Sequence, residues 1–92
     1  MSVRDDIAEE FPEALFLDPA SMFDQAIIGI AQQAGGLQAV AYDVTKCIIA
    51  MIESGMSEED AQEFFEYNTA SAYVGKRTPV FVVSADTVGG IQ

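Results

Sequence analysis

Apolar positions along this chain fall into short groups whose spacing changes from helical to extended and back. Val3, Ile7 and Phe11 recur every four residues, with Asp5, Asp6, Glu9 and Glu10 left to face water. That pattern predicts a short helix over Val3 to Glu10, ending before Pro12. Ala14 to Leu17 is a brief apolar stretch closed by Asp18-Pro19, because a residue before proline is pushed out of helical geometry. Ile27, Ile28 and Ile30 then surround Gly29 within Gln25 to Ala31, Ala34-Gly35-Gly36 supplies a turn, and Leu37 to Tyr42 forms a second apolar run. The β-branched residues and the glycine pair predict a β-hairpin. A helix across Phe23 to Gln33 competes with it, at a cost of about 1 kcal/mol for Gly29.

Asp43 has the character of an N-cap for a helix over Val44 to Glu53, in which Val44, Cys47, Ile48, Met51 and Ile52 form one apolar stripe. Gly55 is a natural stop, and Ser57 with Asp60 opens a second helix as a relative of the capping box. On that helix Ala61, Phe64, Phe65, Asn68 and Ala72 share an inner side, while Glu59, Glu63 and Glu66 share the outer one. Gly75 to Pro79 reads as a turn, Val80 to Val83 as a final strand pairing with the hairpin, and Ala85 to Gln92 as a loose tail. The expectation is one α+β domain over residues 1–92, with an antiparallel sheet of about three strands packed with two to three helices.

Charge changes this picture of an ordinary small domain. The chain carries fifteen Asp and Glu against four Lys and Arg, no His, and a formal charge of −11, yet half its residues are hydrophobic. It has enough apolar surface to fold, and it presents a strongly negative exterior. Residues 1–66 hold fourteen acids against two bases, a balance of −12. Counterion release favours Lys- and Arg-rich surfaces on nucleic acid, so direct nucleic-acid binding is not expected. The opening Met1-Ser2-Val3-Arg4-Asp5-Asp6 lacks the basic start of a signal peptide, and no apolar segment reaches the length of a membrane span. A soluble intracellular protein that engages no membrane is the expectation, with Cys47 reduced.

Candidate chemistry is sparse. Without His there is no ordinary Ser or Cys triad, and Cys47 lies on an apolar stripe where a thiol is packing. Neither Asp5-Asp6 nor Glu58-Glu59-Asp60 has the alternating acids and central glycine of a calcium loop, and no phosphate loop is present. No enzyme activity, metal or cofactor is expected. Tyr42, Tyr67 and Tyr73, with Phe64 and Phe65, are aromatic enough to suggest a binding surface, while most read more simply as core or core-edge residues. Asn68 on the inner face would hydrogen-bond nearby backbone, and Lys76-Arg77 would clamp its turn or pair with the acidic face. A pocket lined by Tyr42, Asn68 and Tyr73 would instead mark a small catalytic or ligand-sequestering protein.

The pieces Leu17-Asp18-Pro19, Phe23-Asp24-Gln25-Ala26-Ile27-Ile28-Gly29, Ala41-Tyr42-Asp43, Lys46-Cys47-Ile48, Gly55 to Ala61, Glu66-Tyr67-Asn68 and Thr78-Pro79-Val80-Phe81 resemble a widespread group of small proteins encoded by tailed phages and prophages. The resemblance runs from Phe16 to Val82 and implies strand, turn, strand, helix, helix through the middle of the chain. A small acidic phage protein is also similar in profile to the DNA-mimicking anti-CRISPR proteins. What this implies is an inhibitor in the host bacterial cytoplasm, a monomer or small homo-oligomer. Its partner would be a basic nucleic-acid-binding protein or CRISPR complex. Glu58, Glu59, Glu63 and Glu66 would make the contact, with Asp5, Asp6, Glu9 and Glu10 as outliers. The alternative is a phage structural or assembly protein that self-associates and uses its acids for solubility.

Overall fold

Tyr42 lies near the end of the most buried strand of the molecule, and the other elements are arranged around it. The computed structural model describes residues 3–32, 34–69, 75 and 77–85, with only the backbone at Asn68 and Thr69. Helix α1 (Val3–Glu10) and the short helix α2 (Ala20–Phe23) lead through a 3-10 turn (Asp24–Ala26) into strands β1 (Ile27–Gln32) and β2 (Gln38–Asp43). Helices α3 (Val44–Glu53) and α4 (Glu58–Phe64) follow; α4 widens into a π turn over Phe65–Thr69, and strand β3 (Val80–Val82) completes a sheet of order β1-β2-β3. The domain is α+β, and the hairpin prevails over the competing helix. Helix α2 is an addition to the predicted elements, since its four residues carry too little periodicity to declare themselves.

The hairpin pairs Gln32 with Gln38, Ala31 with Ala39, Ile30 with Val40 and Gly29 with Ala41. Beyond Gly29 the register shifts so that Ile27 pairs with Tyr42 and Ile28 is left as the extra residue of a bulge. Gly29 accommodates the bulge at φ 149, a conformation side-chain-bearing residues rarely adopt.

The sheet is mixed, contrary to the antiparallel expectation: β3 runs parallel to β2, with Ala41 beside Val80, Tyr42 beside Phe81 and Asp43 beside Val82. The cause is topological. Parallel neighbours need a crossover of a dozen or more residues, and α3 and α4 supply one between the end of β2 and the start of β3. The turn at Gly75 forms as expected, with the Thr78 amide donating to the Gly75 carbonyl at 3.1 Å. The inner side-chain assignments for Asn68 and Ala72, the Lys76 half of the Lys76-Arg77 clamp, and the tail from residue 86 lie outside the described residues.

One cluster of buried side chains joins every layer: Ile7 of α1, Phe23 of α2, Ala26, Ile27, Val40 and Tyr42 of the hairpin and the turn before it, Cys47 and Met51 of α3, then Ala61 and Phe65. Val40 and Tyr42, two apart, share a strand face, as the period of a strand requires. The α3 stripe turns slightly from its expected position: Ala50 is buried and Ile52 is 37% exposed. Packing by α2 and the 3-10 turn against α3 explains the rotation, because it covers the Ala50 side.

Tyr42 is fully enclosed. Its phenolic oxygen accepts a hydrogen bond from the Leu17 amide at 2.9 Å, and its ring lies 6.2 Å from that of Phe81. Phe81 in turn meets Phe65 edge-on at 5.0 Å, which ties the sheet to the end of α4. Burial pushes the phenol pKa above its ordinary 10.0, with the Leu17 hydrogen bond opposing the shift. Tyr42→Phe keeps the ring and strands the Leu17 donor; the expected cost is about 1–3 kcal/mol in urea unfolding.

Candidate functional site

The acidic face rests on a helix start that is well specified locally. Helix α3 ends on Ser54, with Gly55 at φ 118. The Gly55 amide donates to the Ile52 carbonyl at 3.0 Å and the Met56 amide to Met51 at 3.2 Å, the two bonds of a Schellman motif. Ser57 immediately caps α4, its Oγ accepting from the Asp60 amide at 3.1 Å. Two residues therefore separate the end of one cap from the start of the next, and α4 folds back onto α3. Glu58, Glu59 and Asp60 occupy the first turn, where the helix dipole favours negative charge.

Ala61 and Phe65, four residues apart, bury the inner side of α4. Glu58, Glu59, Asp60, Glu63 and Glu66 are all exposed. Glu59 and Glu63 stand one helical turn apart, about 5–6 Å between Cβ atoms. Four of the eight predicted contact residues are thus brought together at α4 and the π turn. Asp5, Asp6, Glu9 and Glu10 belong to a different element, α1, where Asp5, Glu9 and Glu10 are exposed along with Asp6. That helix is anchored by Ile7 in the core and by Arg4, which pairs with Asp24 at 3.2 Å and lies 4.6 Å above the Phe16 ring.

Both described arginines are engaged away from α4. Besides Arg4 with Asp24, Arg77 meets Glu13 at 3.1 Å and donates to the Gln38 carbonyl at 3.4 Å. Of the two expected roles, clamping the turn or pairing with the acidic face, the described Arg77 contacts serve the turn: its guanidinium joins the turn before β3 to the α1–α2 connection and to the start of β2. Among the described residues no group of three or more carboxylate or thiol ligands converges on a metal position.

Two aromatic assignments are also corrected. Phe64 is 41% exposed, whereas the spacing predicts it on the inner side, and Tyr67, read with the core or core-edge aromatics, is 74% exposed. At about 100° per residue Ala61 and Phe65 straddle the line of contact with the core, leaving Phe64 at its margin. Tyr67 follows in the π turn, whose i→i+5 bonding breaks the regular helical phase. With Met56, Asp60 and Glu63 they line an open hollow of about 440 Å³ on the flank between the buried face and the carboxylate row. Residues 56, 60, 63, 64 and 67 recur by threes and fours, but that spacing does not say whether the side they share is covered or open.

Tyr42 is enclosed in the core, and the Asn68 side chain and Tyr73 lie outside the described residues. Among the described residues no helix is long and apolar enough to cross a membrane. Comparison with family models, curated proteins and solved structures gives no match.

Cys47 is wholly buried, and burial first, then the nearby Asp43 carboxylate, pushes its pKa from 9.0 up to about 12. Well below pH 9 it is a neutral packing group in both folded and unfolded chains. Between pH 9 and about 12 the unfolded thiol gives up its proton while the folded one retains it, so stability falls as pH rises through that window. Urea midpoints measured from about pH 8 to 10 should decline less steeply for Cys47→Ala than for the parent. A thiol reagent at about pH 8 should label Cys47 only when the chain unfolds.

Proposed function

We propose that this chain is a phage-encoded acidic inhibitor of the anti-CRISPR type, which imitates nucleic-acid phosphates and blocks the basic DNA-binding surface of a host defence complex. The observation that carries the proposal is the exposed carboxylate set Glu58, Glu59, Glu63 and Glu66 at α4 and its π turn. Within that set Glu59 and Glu63, about 5–6 Å apart on α4, offer a basic groove the charge spacing of neighbouring phosphates. The overall charge of −11 steers the encounter, and the acids on α1 extend the attractive field. Action in the bacterial cytoplasm follows from the same proposal.

Self-association in phage assembly is the second possibility, favoured by exposed Val82 and Val83 at the β3 edge and by exposed Ile28 on β1. Two features oppose it. Strand β3 is three residues long, and the bulge interrupts β1; both are devices that blunt sheet edges. A large oligomer that persists at high salt in size-exclusion chromatography would favour assembly over mimicry.

The direct test is displacement of labelled duplex DNA from a defence complex captured on this protein from the bacterial host. Reversing Glu59, Glu63 and Glu66 to Lys together should weaken displacement by about tenfold or more, on the order of the effect of several lost charge contacts. The chain should remain folded in urea titration with a loss of no more than about 1–2 kcal/mol, since all three side chains are exposed and Glu59 sits where the helix dipole favours an acid. Full displacement by the triple variant excludes this face as the contact.

A further inference from the structure

The hollow beside the carboxylate row is chemically different from the row itself. A phosphate mimic needs only negative charge, yet this surface places the Phe64 and Tyr67 rings next to Asp60 and Glu63, with the Met56 side chain on the same wall. Phe64 is 41% and Tyr67 74% exposed, which leaves aromatic ring surface open to a binding partner. Their neighbours decide what fits. A neutral apolar segment would have to desolvate two carboxylates on docking, whereas a cation gains from both the carboxylates and the ring faces.

We propose that this hollow receives an arginine side chain of the protein partner. Resting on the inhibitor function for the partner's identity, the inference adds what the carboxylate row alone does not supply, a preference for arginine over lysine. Arginine suits the site because its planar guanidinium stacks on an aromatic face while its donors fork onto carboxylate oxygens; an ammonium offers a point charge without the plane. The rings of Phe64 and Tyr67, three positions apart, bear the stacking surface, and Asp60 and Glu63, also three apart, bear the charge. Glu59 lies beyond the hollow and contributes only to the general field.

Calorimetric titration of the full chain with hexa-arginine and hexa-lysine peptides tests the assignment. The expected result is about two- to five-fold tighter binding of hexa-arginine, the range of one exposed cation–π contact. Phe64→Ala with Tyr67→Ala should weaken hexa-arginine more than hexa-lysine, until the two peptides bind alike; Glu59→Gln should weaken both peptides alike and leave the arginine preference in place. Phe64→Leu with Tyr67→Leu, which keeps apolar bulk without the ring, should behave as the alanine pair and guards against loss of fold. Equal affinity for the two peptides, or an arginine preference that survives both double variants, overturns the proposal. The two functions fail separately. If the Glu59, Glu63 and Glu66 reversal leaves DNA displacement intact while the ring-dependent preference holds, the arginine site stands and phosphate mimicry by the row falls. If the reversal abolishes displacement while the two peptides bind equally, the row stands and the arginine site falls.

Discussion

The enclosure of Tyr42 is the constraint from which the arrangement follows. A buried phenol must have its oxygen satisfied, and the Leu17 amide does so from a segment 25 positions earlier in the chain. That single bond draws the irregular stretch between α1 and α2 against the central strand. The ring also sets the height at which β3 docks, since Phe81 pairs with Tyr42 in the sheet and meets Phe65 at the far end of α4. Sheet, crossover helices and the first connection are thereby closed around one side chain.

The position of α4 is a consequence. Its inner side is committed through Ala61 and Phe65, so its remaining surface divides into a carboxylate row and an aromatic flank. The start of the row is tolerable because a helix N-terminus favours acids and all of its carboxylates are exposed to water. Electrostatic self-repulsion is thus concentrated on a helix whose inner contacts are apolar and insensitive to screening by salt.

Local chemistry was legible wherever one residue type had one physical use. Asp43 and Ser57 announced their helices because a short oxygen-bearing side chain satisfies free amides, and Gly55 announced a stop because the backbone there reaches φ 118. The acidic row was legible from spacing. Phe64 and Tyr67 were not, because an aromatic at helical spacing packs or projects according to which line of the helix meets the core, and the π turn alters that line after Phe64.

By itself, then, the sequence determined the hairpin, the caps of α3 and α4, the concentration of negative charge in residues 1–66 and the exposure of Glu59, Glu63 and Glu66. These follow from backbone satisfaction and periodicity, which act over a few residues. Tertiary structure alone decided that β3 runs parallel to β2, that Arg77 pairs with Glu13, and that Phe64 and Tyr67 share a hollow with Asp60 and Glu63. Each of these depends on where a crossover returns or on which side of a helix its neighbours cover, and such long-range geometry leaves no period in the chain.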